Sequence, residues 1–197
     1  LWVASVGVLS DLGDKAPWPH LGALRDRYYI THVRKVVTLC NASRRASTPI
    51  SDVALQLLCD AELPADVTAS PQLEAARREV QDELKQARNQ KPIFASEGRW
   101  LHVPTHSRCQ IHPLIAQQWA QRIPKYIALA SNDRYLPEAV AFSIRTRTDA
   151  DLPAFLRSLP FADAHPHTFG HGHPQASGGQ LPAPVMQQFL QALHIEP

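Results

Sequence analysis

The chain has 197 residues, 44% of them hydrophobic and 19% charged, with a net charge of only +2. This is an ordinary globular composition, long enough to bury one or two cores, and its seventeen prolines against eight glycines point to short helices with firm stops rather than disorder. Three widely spaced cysteines without a C-x-x-C pair argue against a disulfide framework or zinc site and for a reducing, cytoplasmic setting, and no apolar run is long enough to cross a membrane.

Leu1–Val8 opens in mid-pattern, with no initiator Met, polar lead-in or cap, and reads as a piece of a longer protein. Residues 1–10 are nearly all apolar or small and predict a buried helix or strand ending at Ser10-Asp11. After a Pro/Trp turn, 21–40 reads as one helix with Leu21, Leu24, Tyr28, Val33, Val36 and Val37 on its apolar face. From Arg25 to Arg45 six basic residues stand against one acid, Asp26, which is either a solvated helix face or a phosphate-contacting surface. Asn41–Ser47 is a polar, doubly basic break. Ser51–Cys59 resumes an apolar helix, and 63–70 is a Pro-containing hinge.

From Pro71 to Lys91 the pattern is a long amphipathic helix with Ser70 as its N-cap and a narrow stripe of Leu73, Ala76, Val80, Leu84 and Ala87. So thin a stripe suits an exposed connector. Beyond Pro92 the texture changes. Residues 92–96 and 99–103 predict a hairpin turning at Glu97-Gly98, 113–123 a helix, 126–130 a buried strand and 140–147 an alternating one. Asp149 or Asp151 starts a helix to Leu159, and Ala183–Leu193 forms the last helix. The expected fold class is therefore α/β: a truncated helical part (1–69), a connector helix (70–91), and a compact domain (92–197) whose mixed β-sheet is flanked by helices.

Phe169–Gly179, reading FGHGHPQASGG, predicts a loop with free backbone N–H groups that wraps a ligand; a solvated linker has the same composition. With a two-residue period, Ser143 and Arg145 point to one face of their strand, where a hydroxyl and a planar guanidinium together can bind a phosphate. Asp11, after a buried apolar run, is either a cap for the next turn or a carboxylate placed to hold Mg²⁺ or Mn²⁺.

In order and spacing these motifs resemble a known family. Ser143-Ile144-Arg145, the helix near 151–159 and Gly170-His171-Gly172-His173-Pro174-Gln175-Ala176-Ser177-Gly178 are similar to the Ser-x-Arg strand, short helix and Gly-Gly-Gly-His-x-x-Ala-Ala-Gly loop of the DHH-associated domain of the DHH phosphoesterases. His171 stands where the family has Gly and Ser177 where it has Ala. Gly7–Asp11 resembles the Gly-Thr-x-Ala-Asp metal motif of the DHH catalytic domain, and Asn41-Ala42-Ser43-Arg44-Arg45 the Asn-Ala-x-x-Arg segment of RecJ-type single-strand exonucleases.

The resemblance implies phosphodiester hydrolysis with two divalent ions, Mn²⁺ or Mg²⁺, in the full-length protein. Ser143 and Arg145 would hold a substrate phosphate, and His173 with Gly170, Gly172, Ala176 and Gly178 would contact the terminal nucleotide. Asp11 would ligate metal, and the basic run would guide single-stranded nucleic acid or a short oligonucleotide. The Asp-x-Asp and Asp-His-His segments of that family are not in this chain, so it is expected to bind without catalysing. Three alternatives stay open: a small-nucleotide phosphodiesterase or phosphatase of the same family, a non-catalytic nucleotide- or RNA-binding module, and a metal module on His165, His167, His171 and His173.

Overall fold

The computed structural model describes residues 2–13, 16–20, 22–23 and 27–196, which form two compact units, Leu1–Asp82 and Glu83–Pro197. In the first, α1 (Trp2–Leu12) buries Trp2, Ser5, Val6 and Leu9 and leaves Leu12 exposed, so the opening apolar run is an amphipathic helix. The next helix, α2, spans Ile30–Ser43. Of the helix expected from residue 21, Leu21, Leu24 and Arg25 lie outside the described residues, and the continuous helix is corrected at Tyr29. Its backbone (φ −53°, ψ 111°) is not helical and its ring is 78% exposed. Tyr28 packs half-buried against the same core, and from Ile30 onward the helix carries Val33, Val36 and Leu39 into it, all fully buried.

The helix also runs three residues further than expected. Ala42 and Ser43 are buried, and packing carries the last turn through the polar Asn41-Ala42-Ser43 segment. Two shorter helices follow, α3 (Ser51–Asp60) and, inside the expected hinge, α4 (Pro64–Thr68). The long helix α5 (Pro71–Ala87) starts where Ser70 Oγ accepts from the Leu73 N–H at 3.4 Å, and its stripe seats Leu73 in the core of the first unit.

The second unit is built on one six-stranded mixed sheet in the order β1-β2-β3-β4-β6-β5. Its strands are β1 (Ile93–Phe94), β2 (Trp100–Thr105), β3 (Ile127–Asn132), β4 (Val140–Arg145), β5 (Phe169–His173) and β6 (Ala176–Leu181). Only β2 and β3 run parallel, and their crossover is α6 (His112–Arg122), as a parallel connection requires. Between β4 and β5 lies α7 (Leu152–Arg157), where the Asp151 side chain accepts from the Ala154 N–H at 3.0 Å. The last helix, α8 (Ala183–Ala192), supplies Met186 and Phe189 to a core that also holds Phe142, Phe161 and Phe169, their ring centroids 5.3–5.9 Å apart where they meet.

The glycine-rich stretch is not a loop. It is the β5–β6 hairpin, with Gly172 opposite Ser177 and His173 opposite Ala176. Gly170, at φ 77°, sits in the irregularity between Phe169 and His171, a glycine bulge that re-aims the strand. Gly178 and Gly179 serve close packing: an added Cβ would stand 2.6 Å from the Phe142 carbonyl oxygen at the first and 2.1 Å from that of Thr168 at the second. Among the described residues no helix is long and apolar enough to cross a membrane.

Candidate functional site

Strand β4 is central, hydrogen-bonded to β3 on one side and β6 on the other, with Ser143 opposite Gly178 and Arg145 opposite Ala176. The register thus brings Ser143, Arg145, Ala176 and Gly178, expected together from sequence, onto one cavity of about 530 Å³ within the second unit. Arg145 is half-buried and folds back over its own strand. Its Nη1 lies 2.7 Å from Ser143 Oγ, 2.8 Å from the Ile144 carbonyl oxygen and 3.2 Å from that of Ser177. Two N–H groups shared among three acceptors fix the guanidinium, while its other N–H donors make no hydrogen bond among the described residues. Ser143 Oγ accepts from Arg145 and lies 3.5 Å from the Ser177 carbonyl oxygen, a bond so long that the hydroxyl hydrogen remains available to a ligand. Burial pulls the Arg145 guanidinium below its usual value, and arginine starts so high that it stays charged at neutral pH.

The hairpin closes one side of the cavity. His171 Nε2 donates to the Pro166 carbonyl at 2.8 Å, and Ser177 Oγ donates to the His171 carbonyl at 2.7 Å. His171 lines the cavity; Gly170, Gly172 and His173 lie outside its lining. The opposite side comes from α6 and the turn after β3, where His112 and Tyr135 pack with ring centroids 5.7 Å apart. Sequence reasoning missed His112, Gln110 and Tyr135. A histidine at the first turn of a helix, beside Pro113, carries no periodicity or motif that marks it.

A second cavity, of about 410 Å³, lies wholly within the helical unit. It gathers Ser10 and Asp11 from α1 with Asn41, Arg44 and Arg45 from the end of α2. Two motifs far apart in sequence therefore meet in space, and Asn41 Nδ2 donates to Ser10 Oγ at 3.0 Å. Arg45 Nη1 reaches the Asn41 carbonyl at 3.5 Å, while its Nε is buried without a partner among the described residues. Burial first, and then the neighbouring Arg44 charge, lower the Arg45 guanidinium from its usual value.

This donor set does not make a complete divalent-metal centre. Among the described residues Asp11 is the one carboxylate lining the cavity, two guanidiniums share it, and there is no group of three or more His, Cys, Asp or Glu able to hold an ion. His165, His167, His171 and His173 make no such group either. None of the three cysteines is in a disulfide.

No family model and no curated protein matches the chain. Among solved structures it is similar to RecJ from Thermus thermophilus in complex with Mg²⁺, with a TM-score of 0.62 and 14% identity over 98% of this chain and 30% of that one. The same protein in complex with Mn²⁺ gives 0.60 and 12%, over 98% and 28%. The DHH domain of a member of the s1p family of ribosomal proteins gives 0.55 and 12%, covering 100% of this chain and 49% of that one. A pGpG-specific phosphodiesterase, PggH, from Vibrio gives 0.50 and 10%, covering 98% and 65%. The chain thus spans less than a third of RecJ and about half of the s1p-family DHH protein. Over nearly its whole length, this chain has the fold of the RecJ-like DHH proteins.

Proposed function

We propose that this chain is part of a metal-dependent phosphodiesterase of the DHH family, RecJ-like in acting on single-stranded nucleic acid, and that its sheet unit binds a substrate phosphate. The observation that carries the proposal is Arg145: a guanidinium anchored through Nη1, with N–H donors to spare, beside an available hydroxyl in a cavity of small-ligand size. Such a pair offers a phosphate both charge and direction. The fold likeness to RecJ supports the nucleic-acid substrate, and the likeness to a pGpG-specific phosphodiesterase supports a dinucleotide as the second reading.

In this proposal Asp11 contributes one ligand to a two-ion centre of Mn²⁺ or Mg²⁺, the other ligands coming from residues of the whole protein beyond this chain. When bound, such ions activate water and stabilise the leaving oxygen. The described residues bind and orient; Gly170, Gly172 and His173 belong to the hairpin that would lie along the terminal nucleotide, with Ala176 and Gly178 at the phosphate.

Fluorescence anisotropy with a short labelled oligothymidylate tests the site. Arg145→Ala is expected to weaken binding about tenfold to a hundredfold, the worth of a charge-assisted hydrogen bond. Unchanged affinity would remove Arg145 from the site. Competition with pGpG separates the two substrate classes. The 197-residue chain with Mn²⁺ is expected to leave the oligonucleotide intact, and cleavage would show that its own residues complete the centre.

A further inference from the structure

We propose that His112 is a third contact to the phosphate in this cavity, donating Nε2–H to the group that Arg145 and Ser143 hold. The inference deepens the phosphate-site reading above and rests on it.

His112 is 5% exposed, and its Nδ1 is shut off from solvent with no hydrogen-bond partner among the described residues. A phenyl ring would fill such a position without leaving a polar atom unpaired, so the imidazole calls for an explanation. The other nitrogen supplies it. Nε2 makes no hydrogen bond among the described residues, is not among the atoms closed off from solvent, and belongs to a residue that lines the cavity with Arg145. The ring's orientation is held by Tyr135, at 5.7 Å and 50° between ring planes.

The protonation state fits a donor. Burial, and then the Arg145 charge, push His112 down to about 4, so the ring is neutral at neutral pH. Of the two neutral tautomers, the one with hydrogen on Nε2 leaves Nδ1 as an unpaired acceptor rather than an unpaired donor, the less costly defect. A neutral donor beside Arg145 adds a hydrogen bond to a phosphate oxygen without the repulsion of a second cation. His102 is the internal contrast. It too is 5% exposed with an unpaired Nδ1, but its Nε2 is tied to Ser131 Oγ at 2.7 Å and it lies outside this cavity.

The test measures binding of thymidine 5′-monophosphate to the 197-residue chain, with thymidine as the phosphate-free control, for wild type, Arg145→Ala, His112→Phe and His102→Phe. His112→Phe is expected to melt at or above the wild-type temperature, because the unpaired nitrogen is gone. It is expected to bind the monophosphate about tenfold to a hundredfold more weakly, while His102→Phe binds as wild type. Wild-type affinity in His112→Phe together with a loss in Arg145→Ala overturns the role of His112 and leaves the phosphate site standing. Equal affinity in all four proteins, or no preference for the monophosphate over thymidine, overturns both. Should His112→Phe fail to fold, the ¹⁵N resonance of His112 Nε2 in wild type decides: a shift on titration with the monophosphate and not with thymidine supports the contact, and no shift overturns it.

Discussion

Two guanidiniums, Arg145 in the sheet unit and Arg45 in the helical unit, are both desolvated, yet the protein treats them differently. Arg145 is anchored by three oxygens of its own sheet, two of them main-chain carbonyls whose positions the β4–β6 register dictates. Among the described residues Arg45 has one long bond to the Asn41 carbonyl and a buried Nε with no partner. A buried charge without such compensation costs stability, and it is tolerated where a further anionic group completes the arrangement. The sheet cavity therefore holds its guanidinium in a fixed geometry, whereas the helical cavity leaves that of Arg45 poorly compensated beside Asp11 and Asn41. The difference follows from secondary structure. Paired strands fix neighbouring groups on both sides at once, while two packed helices fix only the faces they share.

If close strand pairing is what makes the sheet cavity rigid, the largest effect on the protein should come from forcing β5 and β6 apart. Gly179→Ala places a Cβ 2.1 Å from the Thr168 carbonyl and 3.1 Å from Phe169 Cα, both main-chain atoms that cannot swing away. Overpacking of this kind is expected to cost about 3 kcal/mol or more, read as a fall in the denaturation midpoint and loss of nucleotide binding. A variant that melts and binds like wild type would mean that close β5–β6 pairing does not hold the cavity together.

Acid should act next, and again on the sheet unit. His102 and His112 are both lowered from 6.5 to about 4, chiefly by burial, so each is neutral in the folded protein. Arg145 adds to the shift at His112. Their contribution to stability is complete above the unfolded value of 6.5 and is lost as pH falls from there towards about 4, because the unfolded chain takes up protons that the folded one refuses. At about pH 5 the loss is roughly 2 kcal/mol for each histidine. Melting curves from neutral pH to about pH 5 check this, with His102→Phe and His112→Phe each removing part of the pH dependence. A slope unaltered by both substitutions would sink the assignment.

How far the sequence announced these arrangements depends on which force settles each one. Alternation in 140–147 marked Ser143 and Arg145 as neighbours because a strand's two-residue period is local, and Asp149 or Asp151 marked the start of the next helix because capping is local too, Asp151 being the one that caps it. The hairpin at 169–181 stayed hidden. Glycine and histidine are poor strand formers, and what holds them is the approach of β6 to Phe142 and Thr168, a long-range fit. The helix start at Ile30 was misplaced for a similar reason. The apolar spacing continues through Tyr28, which packs half-buried against the core, and the break comes from the non-helical backbone of Tyr29, which no spacing marks. His112 left no trace at all, since one buried imidazole is indistinguishable in sequence from one in solvent.

The smallest expected effect has the opposite sign and belongs to the helical unit. Gly7 lies inside α1, and a Cβ there meets nothing within 4 Å. It is exposed, and its helical backbone suits alanine, so Gly7→Ala removes conformational freedom from the unfolded chain without a steric penalty. The expected gain is about 0.5–1 kcal/mol, seen as a higher denaturation midpoint. Gly7 also borders the Asp11 cavity, so the result bears on how closely the helical unit is built. A stabilised protein with unchanged oligonucleotide affinity fits a glycine kept for neither packing nor binding within this chain. A protein destabilised by one methyl group would mean that α1 packs more tightly around its glycine than the open space there allows, and the helical cavity would then be as closely built as the one in the sheet.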